Sequence, residues 1–312
     1  MPFRILVTGS SGFIGSAVVS ALAASGHSVR AASRRRAVAT QNNVEWAHLP
    51  DLEFAVDWDP LVAGMDIVVH LAAIAHRGHA DSPDYEKVNR IATAELAQAC
   101  RRQNTKRLIF MSSIGAQTGS AANHVVTELD EPQPVTAYDR AKLAAEEEIR
   151  TAGVPFTILR PVVVYGPGAK ANVALMMRLA ASPLPLPFGA FNNRRSLLAI
   201  DNLVQAVLFC LEGSTTLNQT FVVCDPEPIT LAEMLATLRE AAGHSPRLIS
   251  VPPAVVRAII VAAGRRQLWD RIGRDLVASS AKLQAAGWSP QIQTRMGLRA
   301  MVERTSQTSP AS

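Results

Sequence analysis

Apolar residues follow two alternating rhythms along the first half of the chain. Short, unbroken apolar runs alternate with longer stretches in which apolar positions return every three or four residues. The short runs predict strands over Phe3–Thr8, Ser28–Ala32, Ile67–Leu71, Arg107–Met111 and Phe156–Leu159. The longer stretches predict helices over Ile14–Ala24, ended near Gly26, over Arg90–Arg101, and over Ala137–Ala152, ended by Gly153. This βαβ alternation predicts an α/β fold with a doubly wound parallel sheet. Continuous runs such as Ile67-Val68-Val69 suit strands covered on both faces.

Further on the rhythm is less regular. Ser182–Gly189 is a proline-rich loop. It is followed by the run Leu197–Ile200, a helix near Asn202–Leu211, a strand over Thr220–Val223, and helices near Leu231–Ala241 and Ala254–Ala263. From Glu303 the chain is polar, with Ser, Thr and Pro, and is expected to fray. No internal repeat is present.

Composition narrows the classes. With 312 residues, 48% of them hydrophobic, the chain has enough material for a sizeable folded core. Its net charge is +5, and its arginines are scattered apart from Arg34-Arg35-Arg36. No basic stripe with interleaved aromatics appears, which argues against nucleic acid and leaves an anionic small ligand. Cys100, Cys210 and Cys224 are too scattered for a disulfide framework, so a reducing compartment is expected. The longest apolar run, Ala258–Gly264, is far short of the ~20 residues of a spanning helix. The first residues already read as a strand, with no leader before it. The expectation is a cytoplasmic protein without membrane insertion.

Gly9, Gly12 and Gly15 follow the first strand and open the first helix. That is the setting in which a glycine loop cradles a dinucleotide pyrophosphate at a helix N-terminus. A carboxylate after the second strand usually bonds the adenosine ribose. Here Ser33 is followed by Arg34, Arg35 and Arg36, which suits a 2′-phosphate. NAD or NADP is therefore expected as cofactor, with NADP slightly favoured.

Tyr138 and Lys142 lie four residues apart, on one face of a predicted helix. A phenol with a pKa near ~10 is a poor base at neutral pH, and a neighbouring ammonium favours the phenolate. Ser113, just beyond the Arg107–Met111 strand, would hold a substrate oxygen. Tyr138 would take a hydroxyl proton while hydride leaves carbon, and return it in reverse. His76 and His79 lack further ligands and make a poor metal site. His70 reads as a packed core histidine, and Glu146-Glu147-Glu148 as the solvated side of the Tyr138 helix. No metal is expected.

The residues resemble a family. Thr8-Gly-Ser-Ser-Gly-Phe-Ile-Gly15, His70-Leu-Ala-Ala73, Val88-Asn89, Phe110-Met-Ser-Ser113, Tyr138-Asp-Arg-Ala-Lys142, the Leu159–Gly168 stretch and the Arg195–Asn202 stretch are similar to the extended short-chain dehydrogenases/reductases. That group is the NAD-dependent epimerase/dehydratase family. The resemblance spans nearly the whole chain. It implies a Rossmann-type domain over 1–165 with later segments returning to it, a smaller α/β substrate-binding region over 166–302, and a flexible tail over 303–312. It implies catalytic roles for Ser113, Tyr138 and Lys142, the first two also touching substrate and the last also the cofactor. Gly9, Gly12, Phe13, Ile14, Gly15, Ser33, Arg34, Asp51, Leu52, Leu71, Ala72, Ala73, Asn89 and Pro161 would complete the cofactor site. Asn172 and Arg195 would meet the nucleotide sugar.

The Gly189–Asn202 stretch resembles a bacterial polysaccharide-pathway subgroup of UDP-glucose 4-epimerases and of 4-keto reductases that make UDP-N-acetylquinovosamine. The resemblance also implies a homodimer packed through the helices carrying Asn89 and Tyr138. Ser113-Ile114 departs from the Thr-Asp-Glu run of dehydratases. A dinucleotide-binding regulator is the alternative from another class, but such relatives commonly lose the Tyr–Lys pair.

Overall fold

Strands of alternating inward and outward residues can bury both sides only if each side is roofed by helices. The computed structural model, which describes residues 2–35, 41–75, 84–170 and 172–308, has that arrangement. Seven strands form the central sheet: β1 (Arg4–Thr8), β2 (Ser28–Ser33), β3 (Val44–His48), β4 (Ile67–His70), β5 (Arg107–Met111), β6 (Phe156–Pro161) and β7 (Gln219–Val223). All neighbours are parallel, in the order β7-β6-β5-β4-β1-β2-β3.

The pleat sorts each strand between two cores. Ile5, Val7, Ile67, Val69 and Ile109 face Val18 and Leu22 of α1 (Phe13–Ala24). The same core takes Leu203 and Val207 of the helix Ile200–Phe209. Leu6, Val68, Leu108 and Phe110 face the other way, against Leu96 and Cys100 of α2 (Ala92–Arg102) and Ala145 and Ile149 of α3 (Ala137–Ala152). A capping box fixes where α3 begins: Thr136 Oγ1 accepts from Asp139 N at 3.2 Å, and Thr136 N donates to Asp139 Oδ2 at 2.9 Å. Gly153, at φ +71°, ends it in the left-handed conformation.

A smaller region packs over the carboxyl end of the sheet. Short strand pairs join 163–165 to 197–199, 194–195 to 229–230, and 125–126 to 277–278. The helices Asn172–Ala181, Leu231–Ala241, Pro253–Ala262 and Thr294–Thr308 surround them. Buried Asp225, just past β7, ties the two parts together. It accepts hydrogen bonds from Tyr165 Oη, Ala199 N and Asn202 Nδ2 at 2.8–2.9 Å.

Several elements depart from the sequence expectation. The edge strand β3 is half exposed, so it never shows a continuous apolar run. The helix expected from Arg90 begins as a π-helical turn over Glu86–Ile91. The chain expected to fray from Glu303 continues as helix to Thr308, with Arg304 Nη1 at 3.1 Å from Asp201 Oδ2. Glu303 and Arg304 are exposed on a helix whose inner side, Leu298, Met301 and Val302, is buried. Among the described residues no helix is long and apolar enough to cross a membrane.

Candidate active site

The strand order reverses between β1 and β4, which opens a crevice at the carboxyl ends of those strands. Gly9 turns the chain there with φ +70°, and a Cβ on it would lie 2.8 Å from Ala72 N. A Cβ on Gly15 would drive into the Gly9 carbonyl oxygen. Gly12 donates its N–H to Gly9 O at 3.0 Å and caps α1 without a side-chain bond. Phe13 and Ile14 open that helix, so first-turn N–H groups face the crevice. Ser10 Oγ is buried beside them with no hydrogen-bond partner among the described residues. A tight cradle, free helix N–H groups and an orphaned hydroxyl fit a pyrophosphate.

A cavity of about 220 Å³ continues from this loop. Gly9, Gly12, Ser33, Arg34, Asp51, Leu52, Leu71, Ala72 and Ala73 line it. The Ser33 hydroxyl is committed to the protein: it donates to Arg35 O at 2.7 Å and accepts from Trp46 Nε1 at 3.1 Å. Ser33 therefore shapes the turn, and exposed Arg34 is the side chain left at the rim. Arg36 lies outside the described residues. Asp51 and Glu53, from the turn after β3, bring carboxylates to the same cavity. Leu71 and Ala72 hang by their N–H groups from Thr8 Oγ1, both at 3.3 Å. Asn89 exchanges two hydrogen bonds of 2.9 Å with the backbone of Ile74. Its amide thus holds Ile74, next to the Leu71–Ala73 wall, and positions that wall from behind.

Ser113 leaves β5 beside α3 and stands near enough to Tyr138 for its hydroxyl to favour the phenolate. Gly115 N donates to Ser113 Oγ at 3.1 Å and orients it. Burial pushes the phenol up to about 12, opposed by the nearby Ser113 hydroxyl and reinforced by Asp139 and Tyr85. Tyr85 stands edge-on to Tyr138, with ring centroids 5.9 Å apart. Lys142, one turn further along α3, is 3% exposed. Its Nζ donates to Met111 O at 2.8 Å and lies 4.5 Å from the Phe110 ring centroid. Burial brings Lys142 down to about 7, opposed by Glu146. In this geometry burial is the largest influence on the phenol, and the Lys142 ammonium is held on Met111 O.

Glu146 departs from the expectation. Expected on a solvated face, it is 0% exposed. It accepts from Ser112 Oγ at 2.6 Å, Arg160 Nε at 2.8 Å and Arg150 Nη2 at 2.9 Å. Four residues beyond Lys142, it shares that residue's inward face. His70 is the packed core histidine expected. It lies between Thr8 Oγ1 at 2.7 Å and Thr93 Oγ1 at 3.1 Å, stacked on Phe110. Pro161 ends β6 and accepts from Ile114 N at 2.9 Å, next to Ser113.

Arg195 is buried, 6% exposed, and its guanidinium reaches Arg274 O at 2.9 Å and Ser120 O at 3.3 Å. Burial lowers it to about 10, opposed by Asp275. Asn172 opens the helix Asn172–Ala181; its side chain lies outside the described residues, as do His76 and His79. Among the described residues no group of three or more His, Cys, Asp or Glu could hold a metal ion.

The structure thus brings Ser113, Tyr138, Lys142 and Pro161 to one place, and the glycine loop, Arg34, Asp51, Leu52 and Leu71–Ala73 to another along the same crevice. Ser10, Tyr85 and Glu146 escaped sequence reasoning. Only Glu146 carried a signal, its spacing from Lys142. A larger, open cavity of about 770 Å³ lies between the outer face of α3 and β7 and contains none of Ser113, Tyr138 or Lys142. Size alone does not mark the site here.

The strand order and the groups gathered at its reversal define the class: an enzyme of the extended short-chain dehydrogenase/reductase type. The model of the NAD dependent epimerase/dehydratase family matches residues 5–224, and the chain belongs to that family. It is 31% identical to the UDP-glucose 4-epimerase of Vibrio cholerae over 310 residues, covering 96% of this chain and 94% of the relative. It is 27% identical to the ceramide reductase of Caulobacter vibrioides, over 81% of this chain and 75% of that one. Among solved structures, MoeE5 in complex with UDP-glucuronic acid and NAD superposes with a TM-score of 0.79 at 25% identity, covering 98% of this chain and 99% of the other.

Proposed function

We propose that the chain is an NAD(P)-dependent oxidoreductase acting at C4 of a nucleotide-diphosphate sugar, as a UDP-hexose or UDP-N-acetylhexosamine 4-epimerase. The observation that carries this is the placement of Ser113 beside Tyr138 with Lys142 one helical turn away, near a loop built for a pyrophosphate. The Vibrio cholerae relative, aligned over nearly both full lengths, supports the same reaction class.

In this reading the glycine loop, Arg34, Asp51, Leu52 and Leu71–Ala73 hold the dinucleotide, and Pro161 lies by its nicotinamide. A bound nicotinamide dinucleotide supplies the acceptor and donor of hydride. Ser113 fixes the C4 oxygen. Tyr138 takes the C4 hydroxyl proton as the C4–H bond breaks, and returns it when that bond re-forms on the other face. Lys142, titrating near neutrality, moves from the Met111 carbonyl toward the nicotinamide ribose and favours the phenolate. Arg195, desolvated and always charged in this range, pairs with the sugar diphosphate, and Asn172 touches the sugar nucleotide. The same reading places the enzyme in bacterial surface polysaccharide synthesis. It also makes it a cytoplasmic homodimer joined through the Asn89 and Tyr138 helices.

A second reading, a UDP-4-keto-6-deoxy-N-acetylhexosamine 4-reductase, is favoured by Arg34 at the rim of the adenosine cavity. An arginine there suits NADP, and with it a cofactor that exchanges at each turnover. The test is the mass and absorbance of nucleotide released on denaturing the purified protein. Near one NAD per chain, with interconversion of UDP-glucose or UDP-N-acetylglucosamine and its C4 epimer, supports the epimerase. Protein that is isolated without nucleotide and takes up NADPH supports the reductase. Protein that binds neither nucleotide overturns both.

A further inference from the structure

The helix Pro253–Ala262 has an outer face without a polar side chain. Val256 and Ile260 turn inward onto Leu186, Phe191 and Leu235. The opposite arc carries Val255, Ala258, Ile259, Val261 and Ala262, all exposed. Ile259 is 65% exposed, Val255 48% and Val261 42%. Arg257 is the helix's one charged residue, and Arg265 and Arg266 follow its end, both exposed. Residues 247–274 contain six arginines and one aspartate, a surplus of five positive charges. The whole chain's net charge is +5, so the remainder is balanced and the positive excess resides in this segment.

We propose that this segment docks the protein on an anionic lipid surface, with Pro253–Ala262 lying in the interface. An exposed apolar arc flanked by arginines is the pattern of a helix that rests in the headgroup layer, where apolar burial and charge attraction add. Ten residues are too few to span, so the helix lies on the membrane rather than crossing it. Charge complementarity selects lipid over a second copy of the chain: a copy would bring the same positive segment against itself.

The segment is also part of the frame of the substrate side. Asn193 Nδ2 donates to Ile272 O at 2.9 Å, Trp269 packs on Phe191, and Arg274 O holds Arg195. Docking therefore holds the Arg195 side of the molecule at the lipid surface. The inference stands apart from the reaction assigned above.

The experiment is co-sedimentation of the full chain with large vesicles of phosphatidylcholine alone, or of phosphatidylcholine with phosphatidylglycerol, at low and raised salt. The expected result is pelleting with the phosphatidylglycerol vesicles only, weakened by salt. The double variants Val255→Gln/Ile259→Gln and Arg265→Gln/Arg266→Gln should each lower partitioning at least tenfold with an unchanged melting temperature. Wild-type protein that stays in the supernatant with phosphatidylglycerol vesicles would overturn the proposal. So would double variants that both pellet like wild type. An oligomer in gel filtration that Val255→Gln/Ile259→Gln converts to a smaller species would also overturn it, because a second copy would then cover the face. None of these readouts depends on the enzyme's reaction.

Discussion

Glu146→Gln separates two roles of one buried carboxylate. In the native protein Glu146 and Arg160 are a desolvated pair, with side chains 0% and 4% exposed and Nη2 at 2.6 Å from Oε2. Removing one charge of such a pair leaves the other buried and uncompensated, at a cost of about 3–5 kcal/mol. Glutamine keeps an acceptor for Ser112 or Arg160 but turns an NH₂ group toward a guanidinium, so the lower end, about 3 kcal/mol, applies. For a chain of 312 residues that lowers the melting temperature by roughly 5 °C.

The second role concerns Lys142, which burial holds at about 7 while Glu146 opposes the shift. Neutralising Glu146 removes the opposing influence, so Lys142 loses its proton at a lower pH. Activity that needs charged Lys142 falls as pH rises through that pKa, and this alkaline limb should move to lower pH in Glu146→Gln. Glu146→Asp, which keeps the charge, should restore much of it. The assay is kcat against pH for the UDP-hexose reaction, beside thermal unfolding of the same samples. A lowered melting temperature with an unmoved alkaline limb would refute the electrostatic reasoning and leave Glu146 as a packing element alone.

Tyr138→Phe removes the proton carrier while keeping the ring against Tyr85; kcat should fall by about 10²–10⁴ with dinucleotide affinity unchanged, as read by calorimetry. Gly15→Ala forces a methyl onto the Gly9 carbonyl and should abolish dinucleotide binding; binding within a few-fold of wild type would contradict the cradle. Arg34→Ser should weaken NADP by roughly 10–100-fold, the worth of a charge-assisted hydrogen bond, and leave NAD unchanged. Burial holds His70 at about 3, below its ordinary 6.5, so the unfolded chain binds more protons between those values. Its contribution to stability is complete above pH 6.5 and is lost as pH falls toward about 3, and urea midpoints of His70→Gln should show a shallower acid slope over that window.

The sequence by itself determined the parallel sheet, because strands buried on both faces must read as unbroken apolar runs. β1, β4, β5 and α3 stand where those runs and the Tyr138 periodicity put them. The glycine loop was equally legible, since its chemistry is backbone chemistry carried by Gly9, Gly12 and Gly15 at three-residue spacing. Short-range spacing brought Tyr138 and Lys142 to one helix face. What spacing could not reveal was which way each charged side chain turns. Glu146 looks like one of three surface glutamates until β6 delivers Arg160 to its carboxylate and makes burial affordable. Arg195 looks like a surface charge beside Arg194 until the carbonyls of Ser120 and Arg274 enclose it. Lys142 is directed at Met111 rather than the phenol because β5 presents a carbonyl there. The edge strand β3 has a mixed pattern because one side of it meets water, so packing rather than an apolar run places it. Local periodicity is a property of neighbours in the chain; the charge state of a buried group depends on partners that tertiary folding brings from far along it.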